Sequence, residues 1–303
     1  MRRLRLLLFT SDKVSIKCLE AVAAGGEVAG VVQAGPPLRP LRFIASPVEH
    51  FSGSQVPFFQ HDDLKKDAFQ EVLAQTDLLV SVGYGRIIPS AIFSVPTFGA
   101  MNLHPAYLPH YRGKHPDIYA IMNGEREAGI TLHYVDTGID TGDVISQAKV
   151  PILESDTIAS LSERLYGEGA RLLSGAFAFV STHERRLPAQ PQRPPDMHPL
   201  STRIDWEDSA KRIHNVIRAL VHPWPMAYTR WRGEVIYLNA SRVLKDGRTD
   251  SPGKVLAVRP DGIVIGAGVD SVLVSEVRLG DGRAFSGGDV GQVLGVCVND
   301  TFE

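Results

Sequence analysis

Residues 4–32, LRLLLFTSDKVSIKCLEAVAAGGEVAGVV, read as strand, helix, strand, and that reading decides the fold. Leu4 to Thr10 is a short, nearly unbroken apolar run that stops at Ser11-Asp12-Lys13, which suits a buried strand. Ser15 to Ala24 carries its apolar residues at helical spacing, and Val28 to Val32 is again short and apolar. Further strands are expected at Leu78 to Val82, Ala100 to His104 and Ile130 to Val135. Short apolar runs alternating with helical segments are the pattern of βαβ units. The first half therefore reads as α/β: a Rossmann-like, mostly parallel sheet with helices on both faces.

Working outward, Gly35 to Ser46 holds the proline- and arginine-rich run PPLRPLR and is expected to be an exposed loop. From Thr157 to Val180, Ile158, Leu161, Leu165, Leu172, Ala176 and Val180 fall on one helical face, wide enough to cover one side of the sheet, with Asp156 marking the start. Leu187 to Leu200 contains five prolines and few apolar anchors, so it reads as a linker. Beyond it Ser209 to Leu220 suggests one helix. Short alternating runs then follow at Val235 to Leu244, Lys254 to Val258, Ile263 to Ile265 and Val272 to Val277. The division expected is 1–186, a linker at 187–202, and a smaller β-rich domain at 203–303 resembling an OB-like barrel.

With 44% hydrophobic and 22% charged residues, the composition is that of an ordinary soluble protein. A formal net charge of -2 gives no global positive field for nonspecific nucleic-acid binding. The basic and apolar start MRRLRLLLFT imitates a signal region but is too short for a membrane span, and no later run reaches the required length. No membrane partner is expected. Cys18 and Cys297 stand far apart without metal-ligand spacing, so neither a zinc site nor a disulfide framework is suggested, and a cytoplasmic location fits.

The first strand is not followed by a GxGxxG turn, and neither a Walker loop nor a G-x-S-x-G elbow occurs. The polar residues concentrate instead between Asn102 and Asp143. Asn102 and His104 are two apart, a spacing that sends both side chains to one face of a strand. Downstream, Asp136-Thr137-Gly138-Ile139-Asp140-Thr141-Gly142-Asp143 packs three carboxylates and two glycines into one turn. In a doubly wound sheet ligands bind beyond the carboxyl ends of the strands, and both groups are expected there. A carboxylate beside a histidine fixes its tautomer and raises its basicity, while an asparagine amide can donate to an oxyanion. Together they suit acyl transfer. Taken singly, an Asn-x-His pair is more often structural, a DTGD turn is usually only a turn, and a metal site is a weaker alternative.

The combination is more specific than its parts. NLHPAYLPHYRG (102–113) followed by GITLHYVDTGIDTGD (129–143) closely resembles the paired motifs of the 10-formyltetrahydrofolate-dependent formyltransferases, which include methionyl-tRNA formyltransferases and sugar N-formyltransferases. RIDW at Arg203 to Trp206 and HPWP at His222 to Pro225 resemble the start of the C-terminal domain in the longer members. The resemblance implies a formyltransferase catalytic domain in 1–186 and a catalytic triplet of Asn102, His104 and Asp140. It also implies 10-formyltetrahydrofolate as formyl donor, without a metal. Gly85, Arg86 and Ile88 in Tyr84-Gly85-Arg86-Ile87-Ile88-Pro89 would form one wall of the pterin pocket, and Val135, Asp136 and Gly138 the other. For the side chains of Ile87 and Ile88, plain core packing is the competing reading.

The resemblance implies a primary amine as the acceptor. Departures from the transfer-RNA enzymes favour a small one, most plausibly on an amino-sugar nucleotide: Ala106-Tyr107 before Leu108-Pro109, and Lys114-His115-Pro116 after the glycine. Only two arginines, Arg39 and Arg42, lie in the proline-rich loop, and Ile204 to Glu303 has 12 basic against 13 acidic residues. Initiator tRNA as the partner of a methionyl-tRNA formyltransferase is the alternative, with a formyltetrahydrofolate hydrolase behind it. The role of the C-terminal domain and assembly as a homodimer stay open.

Overall fold

The computed structural model describes residues 3–11, 14–34, 43–180, 200–222, 224–249 and 251–303. These fall into two compact units, one within Met1–Asp117, Glu127–Pro151 and Leu161–Met197, the other within Ile118–Arg126, Ile152–Ser160 and His198–Glu303. Most of the proline-rich run at 187–202, and residues 35–42 of the expected loop, lie outside the described residues.

The elements up to the middle of the chain are β1 (Arg5–Thr10), the two-residue β2 (Val14–Ser15), α1 (Ile16–Gly25), β3 (Glu27–Gln33), the two-residue β4 (Ile44–Ala45), α2 (Pro47–His50) and β5 (Phe58–Gln60). There follow α3 (Asp67–Ala74), β6 (Leu78–Val82), α4 (Ser90–Phe93), β7 (Ala100–His104), α5 (Pro116–Met122), β8 (Glu127–Tyr134), β9 (Val144–Pro151) and α6 (Ile158–Val180). Seven strands form one sheet in the order β5-β3-β1-β6-β7-β8-β9. The first five run parallel, and the order reverses between β1 and β6, which makes a switch point. The sheet is thus mostly parallel, as expected, but β8 runs antiparallel to β7, and β9 antiparallel to β8. The residues joining β8 to β9, 135–143, are too few for a crossover, so that pair can only be a hairpin.

Alternation along the strands divides the core. Leu7, Phe9, Leu79 and Ala100 face Phe69 and Leu73 of α3 and Ile92 of α4 in one buried cluster. On the opposite face a Cβ at Gly169 of α6 would lie 2.6 Å from Leu103 and 2.7 Å from Ile130, so the helix backbone rests on β7 and β8. Leu103 alternates with Asn102 and His104, which therefore belong to the α3/α4 face. Asp156 precedes α6, but its carboxylate accepts from the Leu153 N–H and the Ser160 hydroxyl, so it braces the turn before the helix.

The second unit contains α7 (Ala210–Ala219), β10 (Tyr228–Trp231), β11 (Glu234–Leu244), β12 (Val255–Arg259), β13 (Gly262–Gly266), β14 (Ser271–Leu279), β15 (Ala284–Ser286) and α8 (Asp289–Leu294). Ser209 caps α7 by accepting from the Arg212 N–H at 3.2 Å. The strands make an antiparallel sheet, β10-β11-β14-β13-β12 with β15 on β14, as the alternating runs led one to expect. Trp231 is buried against Phe302, ring centroids 4.9 Å apart, and its indole N–H donates to the Leu294 carbonyl. This residue is core. Buried Arg218 donates to Asn215 Oδ1 and to the carbonyls of Leu153 and Asp156, tying residues 153–156 to α7. No helix among the described residues is long and apolar enough to cross a membrane.

Candidate active site

Three polar side chains meet on the α3/α4 face where β7 pairs with β8. Asn102 and His104 project from β7, and His133 of β8 stands opposite Asn102 in the ladder. His133 was not singled out from the sequence. Its place follows from the pairing: with β8 antiparallel to β7 in this register, Thr131 and His133 share the face of His104 and Asn102.

Asp140 completes the group by a different route from the one expected. Because β8 is antiparallel, the 136–143 turn leaves beside the amino end of β7, where the Val135 N–H bonds the Ala100 carbonyl. It then folds back across the sheet face. Asp140, at φ +52°, reaches His104 Nδ1 at 3.5 Å through Oδ2, and His133 Nε2 and Asn102 Nδ2 at 3.5 Å through Oδ1. Gly142 permits the fold-back, since a Cβ there would sit 1.8 Å from the Tyr134 carbonyl oxygen.

The 105–116 loop encloses the other side. Thr131 Oγ1 donates to the Ala106 carbonyl at 2.7 Å and accepts from the Leu108 N–H, and Gln147 Nε2 donates to the Leu108 carbonyl. Farther along, Tyr111 and His115 have φ of +56° and +57°, and Gly113 +100°. These left-handed residues turn the backbone inward, so that the Tyr111 carbonyl accepts from His104 Nε2 at 2.9 Å and the Gly113 N–H donates to Asp140 Oδ2 at 2.9 Å.

These contacts fix the protonation pattern. A carbonyl only accepts, so His104 carries its proton on Nε2 and keeps the Nδ1 lone pair. The same argument at His133, whose Nδ1 donates to the Tyr134 carbonyl at 2.8 Å, leaves Nε2 as acceptor for the Asn102 amide at 3.2 Å. Burial lowers the His104 pKa; Asp140 opposes this, and burial outweighs it. The imidazole is thus a neutral base, less basic than the carboxylate alone would make it. Burial would raise Asp140, but His104 and His133, once they are protonated at low pH, and the Gly113 N–H together hold it down to about 2. An ionised carboxylate beside a neutral imidazole nitrogen can assist proton removal from a nucleophile. The Asn102 amide hydrogens point at His133 and Asp140, so the amide expected to donate to an oxyanion is oriented by the protein.

The residues expected around a pterin lie at the β6 exit and after β8. Gly85 and Arg86 are exposed with Ile87 (78%), whereas Ile88 (8%) belongs to the core cluster. Core packing therefore describes Ile88 and not Ile87. Tyr84 and Val135 pack against that same cluster, so both stretches rest on one apolar floor, and Gly85 has no atom within 4 Å of its Cβ position. Open backbone above an apolar floor fits a flat heteroaromatic ring. Asp136 Oδ1 accepts from the Gly138 N–H and the Thr141 hydroxyl, which commits its carboxylate to its own turn. Among the described residues no group of three or more His, Cys, Asp or Glu is arranged to hold a metal ion.

A family model described as formyl transferase matches residues 21–177, and one described as formyl transferase, C-terminal domain, matches 197–293. The chain belongs to the formyltransferase family. This formyltransferase is 35% identical over 298 residues to a methionyl-tRNA formyltransferase of Pelotomaculum thermopropionicum, covering 94% of each chain. It is 31% identical to that of Alkaliphilus oremlandii over 285 residues, 91% of this chain and 92% of the relative. The crystal structure of the sugar 3N-formyl transferase WlaRD superimposes with a TM-score of 0.66 at 18% identity, over 90% of this chain and 97% of that one, a likeness of fold. The formyltransferase is an enzyme of 10-formyltetrahydrofolate-dependent N-formyl transfer.

Proposed function

We propose that the enzyme formylates the amino group of methionyl-tRNA. The observation that carries this is the near end-to-end similarity, through both domains, to relatives bearing that name. It reverses the order expected from the sequence, where overall charge and a few loop residues favoured an amino-sugar nucleotide. A net charge near zero does not preclude one basic face, so charge was weak ground for that preference.

In this reading Asn102, His104 and Asp140 are the catalytic residues. The donor supplies a formyl carbon bonded to N10 of the reduced folate. The acceptor nitrogen bonds to that carbon while His104 Nδ1 takes the proton the nitrogen loses, and ionised Asp140 stabilises the resulting imidazolium. Asn102 steadies the negative charge on the formyl oxygen with the hydrogen it otherwise shares with Asp140 Oδ1, a 3.5 Å contact at the long limit of hydrogen bonding. His104 then returns the proton to N10 as the carbon–N10 bond breaks. Tetrahydrofolate and a formamide leave. Gly85, Arg86, Ile88, Val135, Asp136 and Gly138 border the pterin, Asp136 by holding its turn.

The test is a panel of acceptors with 10-formyltetrahydrofolate. Charged initiator tRNA should release tetrahydrofolate, with binding that weakens steeply as salt rises. Turnover with amino-sugar nucleotides and none with the tRNA would overturn the assignment, and formate release without any acceptor would indicate a hydrolase.

A further inference from the structure

The 3-10 turn His61–Asp63, at the end of β5, is tied to the loop after β6 through side chains. His61 Nδ1 and the Tyr84 hydroxyl are 2.5 Å apart, and Asp62 Oδ1 lies 3.8 Å from Arg86 Nη1. The turn is itself braced, since the Asp63 carboxylate accepts the Gln60 N–H at 2.7 Å and pairs with Lys66. Tyr84 is the joint. Its ring meets Phe9 edge-on at 5.0 Å in the core cluster, and its hydroxyl turns outward to His61.

Burial pushes the Tyr84 phenol up to about 12, with Arg86 pulling it down less strongly and Asp62 adding to the rise. The phenol therefore keeps its proton and shares a hydrogen bond with His61 Nδ1, the donor being set by the imidazole tautomer. Gly83 adopts φ +66° immediately before Tyr84, and residues 85–87 stand exposed beyond it. Without the hydrogen bond, this exposed backbone would be left to the ring packing and to the exposed Asp62–Arg86 pair.

We infer that Tyr84 and His61 are positioning residues that hold the 84–88 backbone in the conformation that receives the formyl donor. The inference rests on the reading that this stretch borders the pterin. They touch no reacting atom, so they set donor affinity and leave the proton-transfer chemistry at His104 intact.

The experiment uses the full-length enzyme. Tyr84→Phe removes the hydroxyl but keeps the ring, and His61→Ala removes its hydrogen-bond partner. Each should raise the donor KM and the Kd for 5-formyltetrahydrofolate about 3- to 10-fold, the effect of one hydrogen bond, with kcat and Tm little changed. The double variant should be no weaker than either single one, because both remove the same bond. Unchanged donor affinity in Tyr84→Phe, or effects that add in the double variant, would overturn the inference. Hydrogen exchange of the wild type with 5-formyltetrahydrofolate separates the two levels. If residues 84–88 are protected and Tyr84→Phe binds normally, only the positioning role fails; if they are not protected, the pterin-wall reading fails and takes the inference with it.

Discussion

His133 Nε2 lies 3.2 Å from the amide nitrogen of Asn102, directly across the β7–β8 ladder. Because His133 Nδ1 is committed to the Tyr134 carbonyl, Nε2 can only accept, and it pins the Asn102 amide with its nitrogen toward Asp140. The reverse orientation would set the amide oxygen against a carboxylate. His133→Leu should therefore let the amide turn and lower kcat/KM about tenfold, the worth of one buried hydrogen bond. Steady-state kinetics beside a thermal melt check it, and an unchanged kcat/KM in a folded variant would deny His133 this part.

His104→Ala removes the nitrogen that receives the acceptor's proton. A loss in kcat of at least about 10²-fold is expected, the low end for a general base. Donor binding should survive, since the expected pterin contacts are elsewhere. Equilibrium titration with 5-formyltetrahydrofolate reads that separately, and wild-type turnover by the variant would remove His104 from the mechanism.

How much of this was legible in the sequence follows from what each residue depends on. β6 and β7 run as read because a buried parallel strand is a short apolar run between breakers, a local property. Asn102 and His104 share a face for a reason that needs only the two-residue period. The direction of β8 was not legible, because an apolar strand reads alike in either direction. With it went the pairing of His133 with Asn102 and the route by which Asp140 arrives. The Tyr111 carbonyl and Gly113 N–H were hidden for a further reason: main-chain groups carry no letter, and only the glycine hinted that the loop turns inward.

Activity should persist below the ordinary histidine range. Burial holds the His104 pKa below 6.5, so the base stays unprotonated as pH falls through that value, and the acid limb of kcat/KM lies lower. Asp140 is the strongest of the groups that oppose this shift, ahead of the Tyr111 carbonyl and Asp117. Asp140→Asn should move the acid limb lower still while cutting kcat, because the imidazolium loses its counter-charge. A pH–rate profile of the two proteins decides it; a limb that moves upward in the variant would contradict the arrangement.

Gly142→Ala tests the fold-back of the 136–143 turn. The added methyl would lie 1.8 Å from the Tyr134 carbonyl oxygen and 2.7 Å from its carbon, both backbone atoms, so the turn must shift and carry Asp140 with it. An active-site displacement of about 1 Å can cost on the order of 10²-fold. The kcat should fall far more than the global Tm, which the two cores dominate. Parallel activity and melting measurements distinguish this from general unfolding, and full activity would mean that the turn has slack.

Stability should decline on acidification in a window set by histidines. His214 of α7 is half-buried, with Nδ1 3.0 Å from Ser241 Oγ; burial first, then Arg218 and Lys211, bring its pKa from 6.5 down to about 4, against smaller opposing effects of Glu154 and Ser241. His104 is shifted in the same direction by burial. In the unfolded chain both histidines protonate near 6.5, whereas the folded protein resists, so the unfolded state binds more protons below that pH. Folding stability is therefore full above about 6.5 and falls as pH drops toward 4 for His214. Asp140 contributes separately: its stabilisation is present above about 3.9 and is lost as pH falls toward about 2. For a half-buried group the discounted effect of His214 is roughly 1–2 kcal/mol. His214→Gln removes the titration and keeps a partner for Ser241. Urea denaturation from pH 7.5 to 4.5 should give a flatter stability curve for the variant, whereas a curve parallel to the wild type's would place the acid sensitivity elsewhere.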